Sequence, residues 1–301
     1  MAVPARLPGM VARLGAALAP VAAVALVLLV IWYGAAVWLN APMQIDAFAR
    51  AGVTWTFDDL MQACWAQERP LLPAPHQVLV EIWKTAVEMP VTSKRSLVYH
   101  GWVTLSSTLL GFAAGTGLGI LLAVGIVHVR VLEKSLMPWI IASQTIPILA
   151  IAPMIIVVLG ALGLKGLVPK SVISTYLCFF PVAIGMVKGL RAPDLLQMDL
   201  MRTYSASGRQ VFYYLRWPTA LPFLFASLKV AISISLVGAI IAELPTGAQA
   251  GLGARLLAGS YYGQTIQIWS ALVSAALLAA VLVALVGMVE RGLFLAMGGR
   301  R

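Results

Sequence analysis

Charge is scarce in this chain, and acid is scarcer than base. Of 301 residues 11% are charged, 11 acidic against 21 basic, where soluble domains carry about a quarter. Cysteine is nearly absent. Cys64 lies in a long polar stretch and Cys178 in an apolar one, so the two are not expected to form a disulfide. No CxxC and no Cys/His spacing offers a metal site. Histidine is limited to His76, His100 and His128, scattered with no Asp or Ser to work with and read as interfacial side chains. A Gly-x4-Gly-Lys-Ser/Thr phosphate loop is missing, which excludes ATP hydrolysis by this chain itself, and GxSxG is missing too. These absences leave no catalytic, cofactor-binding or metal-ligating residue to assign and no cofactor to expect.

What is present is hydrocarbon. Hydrophobic residues make up 61% of the chain, with a mean hydropathy of +0.92. They run all round for long stretches instead of along one face, which places them in lipid. The net charge of +10 would point to nucleic acid in a soluble protein. No basic helix or aromatic platform accompanies it here, so nucleic-acid binding is excluded, and the charge reads as Lys and Arg kept on one side of a membrane. Arg6 and Arg13 precede the run 16–39, as in a signal peptide. That run is longer than a signal core of about 7–15 residues and no small-residue cleavage site follows, so it is expected to remain as a first helix.

A membrane span needs about 20 apolar residues. Six segments qualify, 18–39, 102–127, 136–159, 168–188, 221–243 and 268–289. Each must satisfy its own backbone, so each is expected to be a helix, and the fold class is an all-α integral membrane protein with six transmembrane helices. With the N-terminus inside, the cytoplasmic segments hold Arg6, Arg13, Arg130, Lys134, Lys188, Arg191, Arg202, Arg209, Arg216, Arg291, Arg300 and Arg301, against Lys165, Lys170 and Arg255 in short outer loops. That bias favours cytoplasmic termini and a cytoplasmic 199–222 loop. The long 40–101 loop then lies outside. In it Pro73 and Pro75 enforce extended backbone before a surface helix over 78–87.

Within the spans, polar residues are few enough to be singled out. Gly111, Gly115, Gly119 and Ala123 recur every fourth residue, a small face that lets another helix approach closely. Gly115, Gly117 and Gly119 lack the preceding strand and following acid of a dinucleotide loop. Gln144 and Thr145 lie among Pro138, Pro147 and Pro153, and are read either as lining a path through the bundle or as interhelical hydrogen bonders. Ser227, Ala231, Ser235 and Ala239 form a second small face, expected to line the pathway or a dimer seam. Lys229, two turns into that helix, is placed to snorkel to the interface. Glu243, at the far end of the same segment, is the one carboxylate within these segments, a candidate gate or partner contact, or simply an interfacial charge.

The stretch 199–222, DLMRTYSASGRQVFYYLRWPTALP, is the polar exception. Its length and helix-compatible start suggest a docking surface. It resembles the cytoplasmic EAA loop of permease subunits in binding-protein-dependent ABC importers, whose pattern is Glu-Ala-Ala, three residues, Gly, nine residues, Ile, one residue, Leu-Pro. Asp199, Leu200 and Met201 stand in the Glu-Ala-Ala places, Ser205 at the Gly, Leu215 at the Ile and Trp217-Pro218 at the Leu-Pro. The spacing fits throughout, while the acid, the branched apolar residue and the proline are what is retained. Ser205, Ala206 and Ser207 form the small trio at the centre of the loop. From about Leu71 onward the chain is similar to the nitrate/sulfonate/taurine branch of that family. Leu72-Pro73-Ala74-Pro75 resembles its Leu-Pro-Ser-Pro, and Ala242-Glu243 followed by Gly251-Leu252-Gly253 resembles its Ala-Glu and Gly-Leu-Gly.

The resemblance implies a type I importer permease fold, with about five core helices plus an N-terminal one. The corresponding divisions are 1–40, tail and first helix; 41–101, outer loop, of which 41–69 is an insertion of unassigned role; 102–290, the permease domain; and 291–301, a cytoplasmic tail. It implies a second permease copy, two cytoplasmic ATPase subunits, an extracytoplasmic binding protein and a bacterial inner membrane. A short helix within about 200–211 would fit a cleft on each ATPase, and Pro218 and Pro222 would stiffen its link to the fifth helix. The solute expected is small and organic, either an anion or a pyrimidine-like heterocycle. A carrier or channel independent of ATP is the alternative. It would want acids or histidines along its route, and these are missing.

Overall fold

The structure, a computed structural model, describes residues 10–245 and 248–298. Arg6, Arg300 and Arg301 of the charge tally lie outside the described residues, as do the ends of the two terminal divisions. Among the described residues every regular element is helical. The chain divides into two compact units, Met1–Lys84 with Gly259–Ser270, and Thr85–Ala258 with Ala271–Arg301.

In the first unit, α1 (Met10–Ala51) is followed by α2 (Phe57–Trp65) and α3 (Pro75–Trp83). The spanning part of α1 presents Val21, Leu26, Leu28 and Val30 to its surroundings. The helix does not stop where its hydrocarbon stops. It continues through Pro42 to Ala51, so the expected 40–101 loop is helical over its first turns. Asp46 and Arg50 belong to this helix.

Asn40 explains why α1 persists there. Its side chain is fully buried, with Nδ2 donating to Leu72 O at 2.8 Å and Oδ1 accepting from Leu71 N at 2.7 Å. Trp32 Nε1 donates to Pro73 O at 3.0 Å. The Pro-rich segment, short of its own backbone donors, is thus clasped by side chains of α1. Next comes α3, with Pro75 in its first turn and the Gln77 amide accepting from Ala74 N, and a π-helical turn Lys84–Glu88. The expected surface helix is therefore present. At α2, Thr56 and Asp59 form a capping box. The Thr56 hydroxyl, and then its backbone N–H, hold the Asp59 carboxyl below the usual carboxylate range.

In the second unit, α4 (Leu97–His128), α7 (Leu167–Leu190) and α10 (Trp217–Glu243) form the core. The small face of α4 lies on α7. A Cβ added at Gly111 would sit 2.3 Å from Ser174 Cβ, and one at Gly115 2.8 Å from Cys178 Cβ, whereas Gly117 has nothing within 4 Å. Close backbones bring hydroxyls into range. Ser235 Oγ donates to Thr108 O at 2.9 Å and Ser174 Oγ to Ser235 O at 3.0 Å. Such bonds in membranes contribute about 0.6 kcal/mol each on average. Both cysteines are free and buried.

The third segment, expected as one helix, is two. α5 (Arg130–Ser143) and α6 (Ile148–Ala161) meet at 101°. Pro147 starts α6 without an N–H to offer the preceding turn, and Tyr176 of α7 donates to Ser143 O, fixing the end of α5. Pro138 and Pro153 lie inside their helices. Among the described residues, counting the bent pair as one span gives six helices or helix pairs long and apolar enough to cross a membrane. The remaining elements are α8 (Leu195–Thr203), the short α9 (Gly208–Gln210), α11 (Leu252–Tyr261) and α12 (Thr265–Ala296).

Candidate functional site

The first candidate region is the polar loop between α7 and α10. Asp194 caps α8, accepting from Leu196 N and Gln197 N. One turn on, Asp199 pairs with Arg202 at 2.9 Å. The helix ends in a Schellman closure: Ser205 N donates to Arg202 O at 2.8 Å and Ala206 N to Met201 O at 2.9 Å. That closure requires a left-handed residue at its corner, and Ser205 supplies it with φ +51°, the one described non-glycine residue at positive φ. Ser207 then caps α9, with its hydroxyl accepting from Gln210 N.

The short helix expected within about 200–211 is divided between the end of α8 at Thr203 and α9 at Gly208–Gln210, a helix–turn–helix with Ser205 at the corner. Beyond α9 a π-helical turn, Val211–Arg216, carries the half-buried Leu215 and runs directly into α10. Pro218 falls in the first turn of α10 and Pro222 inside it. The apolar helix is continuous over Gly208–Glu243, longer at its start than the expected span 221–243. The wider register of the π turn absorbs a backbone that two prolines would otherwise break.

This polar stretch carries large apolar side chains that nothing else among the described residues covers. Leu195 is 84% exposed, Leu196 78% and Tyr204 77%, with Leu200 beside them. Leu200 and Met201 were picked out by sequence alignment to the loop pattern. Leu195, Leu196 and Tyr204 were not, because hydropathy averaged over this polar stretch hides them.

The second region is at the opposite end of α10. Glu243 has 0% exposure. Its Oε1 accepts from Lys170 Nζ at 3.1 Å, and its Oε2 accepts from Gly253 N at 3.0 Å and from Thr104 Oγ1 at 2.9 Å. The Thr104 oxygen in turn accepts from Leu252 N at 2.8 Å. Lys170 Nζ also donates to Ala250 O at 2.8 Å, and His100 Nδ1 accepts from Gly251 N at 3.0 Å. Gly251 is at φ +128°, and a Cβ there would lie 2.0 Å from Glu243 Cδ. The carboxylate thus fastens the 250–253 turn onto α4 and α7. Lys170 and Arg255, expected as outer-loop charges, instead belong to α7 and α11 and are each 8% exposed. The legible signal for the pair was opposite charge at the same end of neighbouring spans.

Beside this network is a cavity of about 790 Å³, bounded by α4, α6, α7 and the chain after α10, with Tyr99, Trp102, Ser106, Lys165, Lys170 and Gln249 among its lining.

The other sequence candidates separate. Gln144 and Thr145 occupy the break between α5 and α6 and are exposed, with the Thr145 hydroxyl returning to Ala142 O and bonding no neighbouring helix. Ser235 is fully buried between α4 and α7, and Ser227 packs against Gly185 of α7. The second small face is therefore occupied by neighbours within the chain, because serine and alanine are what close helix contact demands. Lys229 does not end in the interface alone. Its ammonium meets the Glu290 carboxylate of α12, an acid missed because α12 outruns its apolar stretch by two turns. Arg191 pairs with Glu133 at 2.9 Å.

Residues 115–294 match the family described as binding-protein-dependent transport system inner membrane component. Among similar proteins, a riboflavin transport system permease protein of Chloroflexus aurantiacus is 31% identical, over 73% of this chain and 78% of its own. A formylaminopyrimidine transport permease protein of Halalkalibacterium halodurans is 31% identical, over 61% and 68%. A putative aliphatic sulfonates transport permease protein of Bacillus subtilis is 25% identical, over 74% and 85%.

Proposed function

From a chain that belongs to the family of binding-protein-dependent transport system inner membrane components, we infer that the 195–210 helix–turn–helix is the surface gripped by a partner ATPase. The chain is an integral membrane permease subunit of an ABC importer and not an enzyme; separate subunits hydrolyse ATP. The observation that supports the inference is the exposed apolar cluster Leu195, Leu196, Leu200 and Tyr204, in a polar stretch outside the long apolar helices. Asp199, Met201, Ser205, Ala206 and Ser207 set the shape of that knob, and Leu215 and Pro218 join it to α10.

Both termini and this loop are assigned to the cytoplasm by the positive-inside bias. The Glu243 end then faces outward, toward a substrate-binding protein, and a second copy of the chain completes the path. Gln144 and Thr145 are assigned to the pathway, because irregular backbone at membrane depth is tolerated where it is buried in protein or lines water. Ser227, Ser235 and Glu243 belong to the frame beside it. ATP-driven closure of the two ATPases would move the knobs as rigid bodies and switch the path between inward- and outward-facing. The solute is small and organic, an anion or a pyrimidine-like heterocycle, in line with what the relatives are named for.

A Ser205→Cys variant is expected to cross-link to a cysteine in the partner ATPase, and Ser207→Trp to block solute uptake while the chain still reaches the membrane. Absence of the cross-link together with intact uptake by Ser207→Trp overturns the assignment.

A further inference from the structure

Between the Glu243 network and the neighbouring cavity stands Lys170, with Ala242 and Ala250 beside it in the lining. An ammonium has three protons to donate. Two are accounted for, by Glu243 Oε1 and Ala250 O, and the same side chain lines the cavity. Glu243 itself has no exposed surface, its oxygens turned to Thr104, Lys170 and Gly253 N. The cavity therefore meets the positive member of the pair and is screened from the negative one. No Asp or Glu lines it among the described residues, and Lys165 stands at its exposed edge.

The rest of the lining is of two kinds. Ser106 and Gln249 offer neutral polar groups, while Tyr99 and Trp102 of α4 face a wall that includes Ile156 and Gly160 of α6. Gly160 has nothing within 4 Å of where its Cβ would be, so the wall is open at that point. The volume of about 790 Å³ is that of a small-molecule site, for which roughly 300–1,000 Å³ is usual. A ligand fitted to this distribution has an anionic oxygen group at one end and a flat apolar body at the other.

We propose that this cavity is a binding site for a planar organic anion, its carboxylate or sulfonate held by the remaining Lys170 proton and by Lys165, its ring held by Trp102 and Tyr99. The site rests on the permease reading above, with the Glu243 end outward, and makes the cavity a place where solute waits before the path opens. Glu243 holds one Lys170 proton and does not itself meet the ligand. The headgroup of an anionic lipid shares the oxygen chemistry but not the need for a flat ring.

The probe is naphthalene-2-sulfonate, titrated by calorimetry against the full chain in nanodiscs of zwitterionic phosphatidylcholine, with methanesulfonate as the ringless control. Saturable binding of the aryl sulfonate, and at least tenfold weaker binding of methanesulfonate, is expected. Lys170→Gln should raise Kd by about 10–100-fold, the loss of one charged hydrogen bond. Glu243→Gln should lower Kd or leave it unchanged, because it releases the ammonium toward the ligand. A purely structural pair would weaken binding in both variants. Trp102→Leu, which leaves the ion pair intact, should raise Kd several-fold for the aryl probe alone. No saturable binding to the wild-type chain, equal loss in Lys170→Gln and Glu243→Gln, or no effect of Trp102→Leu overturns the proposal. Displacement of the probe by nanodiscs containing phosphatidylglycerol also overturns it, in favour of a lipid site. If binding fails while the Ser205→Cys cross-link still forms, only the cavity assignment fails and the permease reading stands.

Discussion

Ser205 stands at φ +51° in a helix closure that glycine adopts without cost. The left-handed backbone costs an L residue about 1–2 kcal/mol, and glycine gives back part of that gain as unfolded-chain entropy, about 0.5–1 kcal/mol. Ser205→Gly is accordingly expected to be neutral or slightly stabilising, with uptake retained. Ser205→Ile puts a β-branched side chain in the same corner, and ATP-driven uptake, normalised to chain in the membrane, should fall several-fold. The Lys170–Glu243 pair gives the second residue-scale expectation. Removing one member leaves the other without its buried ion-pair partner, at a cost of about 3–5 kcal/mol. Lys170→Met and Glu243→Gln should each lower the thermal midpoint in detergent, and the double variant should lose less than the sum of the two. Additive losses would mean the two groups are not coupled.

At the scale of the helix, α4 offers its own control. Gly115 and Gly117 are two residues apart, yet one faces Cys178 and the Thr175 carbonyl and the other faces open space. Gly115→Ala must push α4 and α7 apart, an overpacking cost of about 1–3 kcal/mol. Gly117→Ala should be neutral or gain up to about 1 kcal/mol in helix propensity. Thermal unfolding of the two variants in the same detergent decides it, and equal shifts would contradict the α4–α7 seam. That seam was legible in the sequence, because a period of four small residues has few other uses in lipid. The break between α5 and α6 was only half legible. Pro147 announced a bend, but a 101° turn depends on Tyr176 capturing Ser143 O from a distant helix, which no local pattern records. The extension of α1 to Ala51 was hidden for the converse reason. Hydropathy reports where lipid ends, whereas Asn40 and its partners 71–72 decide where the helix goes on.

For the whole molecule, the question is which exposed apolar surface has a meaning. Spanning helices expose leucines and valines everywhere, Leu121 at 72% among them, and lipid accounts for these. The loop 195–210 is different, because a contiguous exposed apolar cluster in a polar stretch outside the spans marks a surface for a partner. Sequence spacing found this loop, since its resemblance rests on intervals between residues; the apolar tip had to come from the structure. Among its members Tyr204 has the largest ring and a polar edge, the kind of side chain that carries a disproportionate share of interface energy. Truncating such a residue costs about 2 kcal/mol or more, which is roughly a 30-fold loss of affinity. Tyr204→Ala should therefore reduce co-purification of the ATPase, with Leu196→Asp more severe because it would carry a charge into the contact. Leu121→Ala removes comparable exposed area on α4 and should leave ATPase binding unchanged. If all three variants bind the ATPase alike, the grip lies elsewhere on the chain; if only the loop variants fail, force enters here and passes along the continuous helix Gly208–Glu243. At about 1.5 Å per residue that helix reaches from one side of the membrane to the turn that Glu243 fastens on the other.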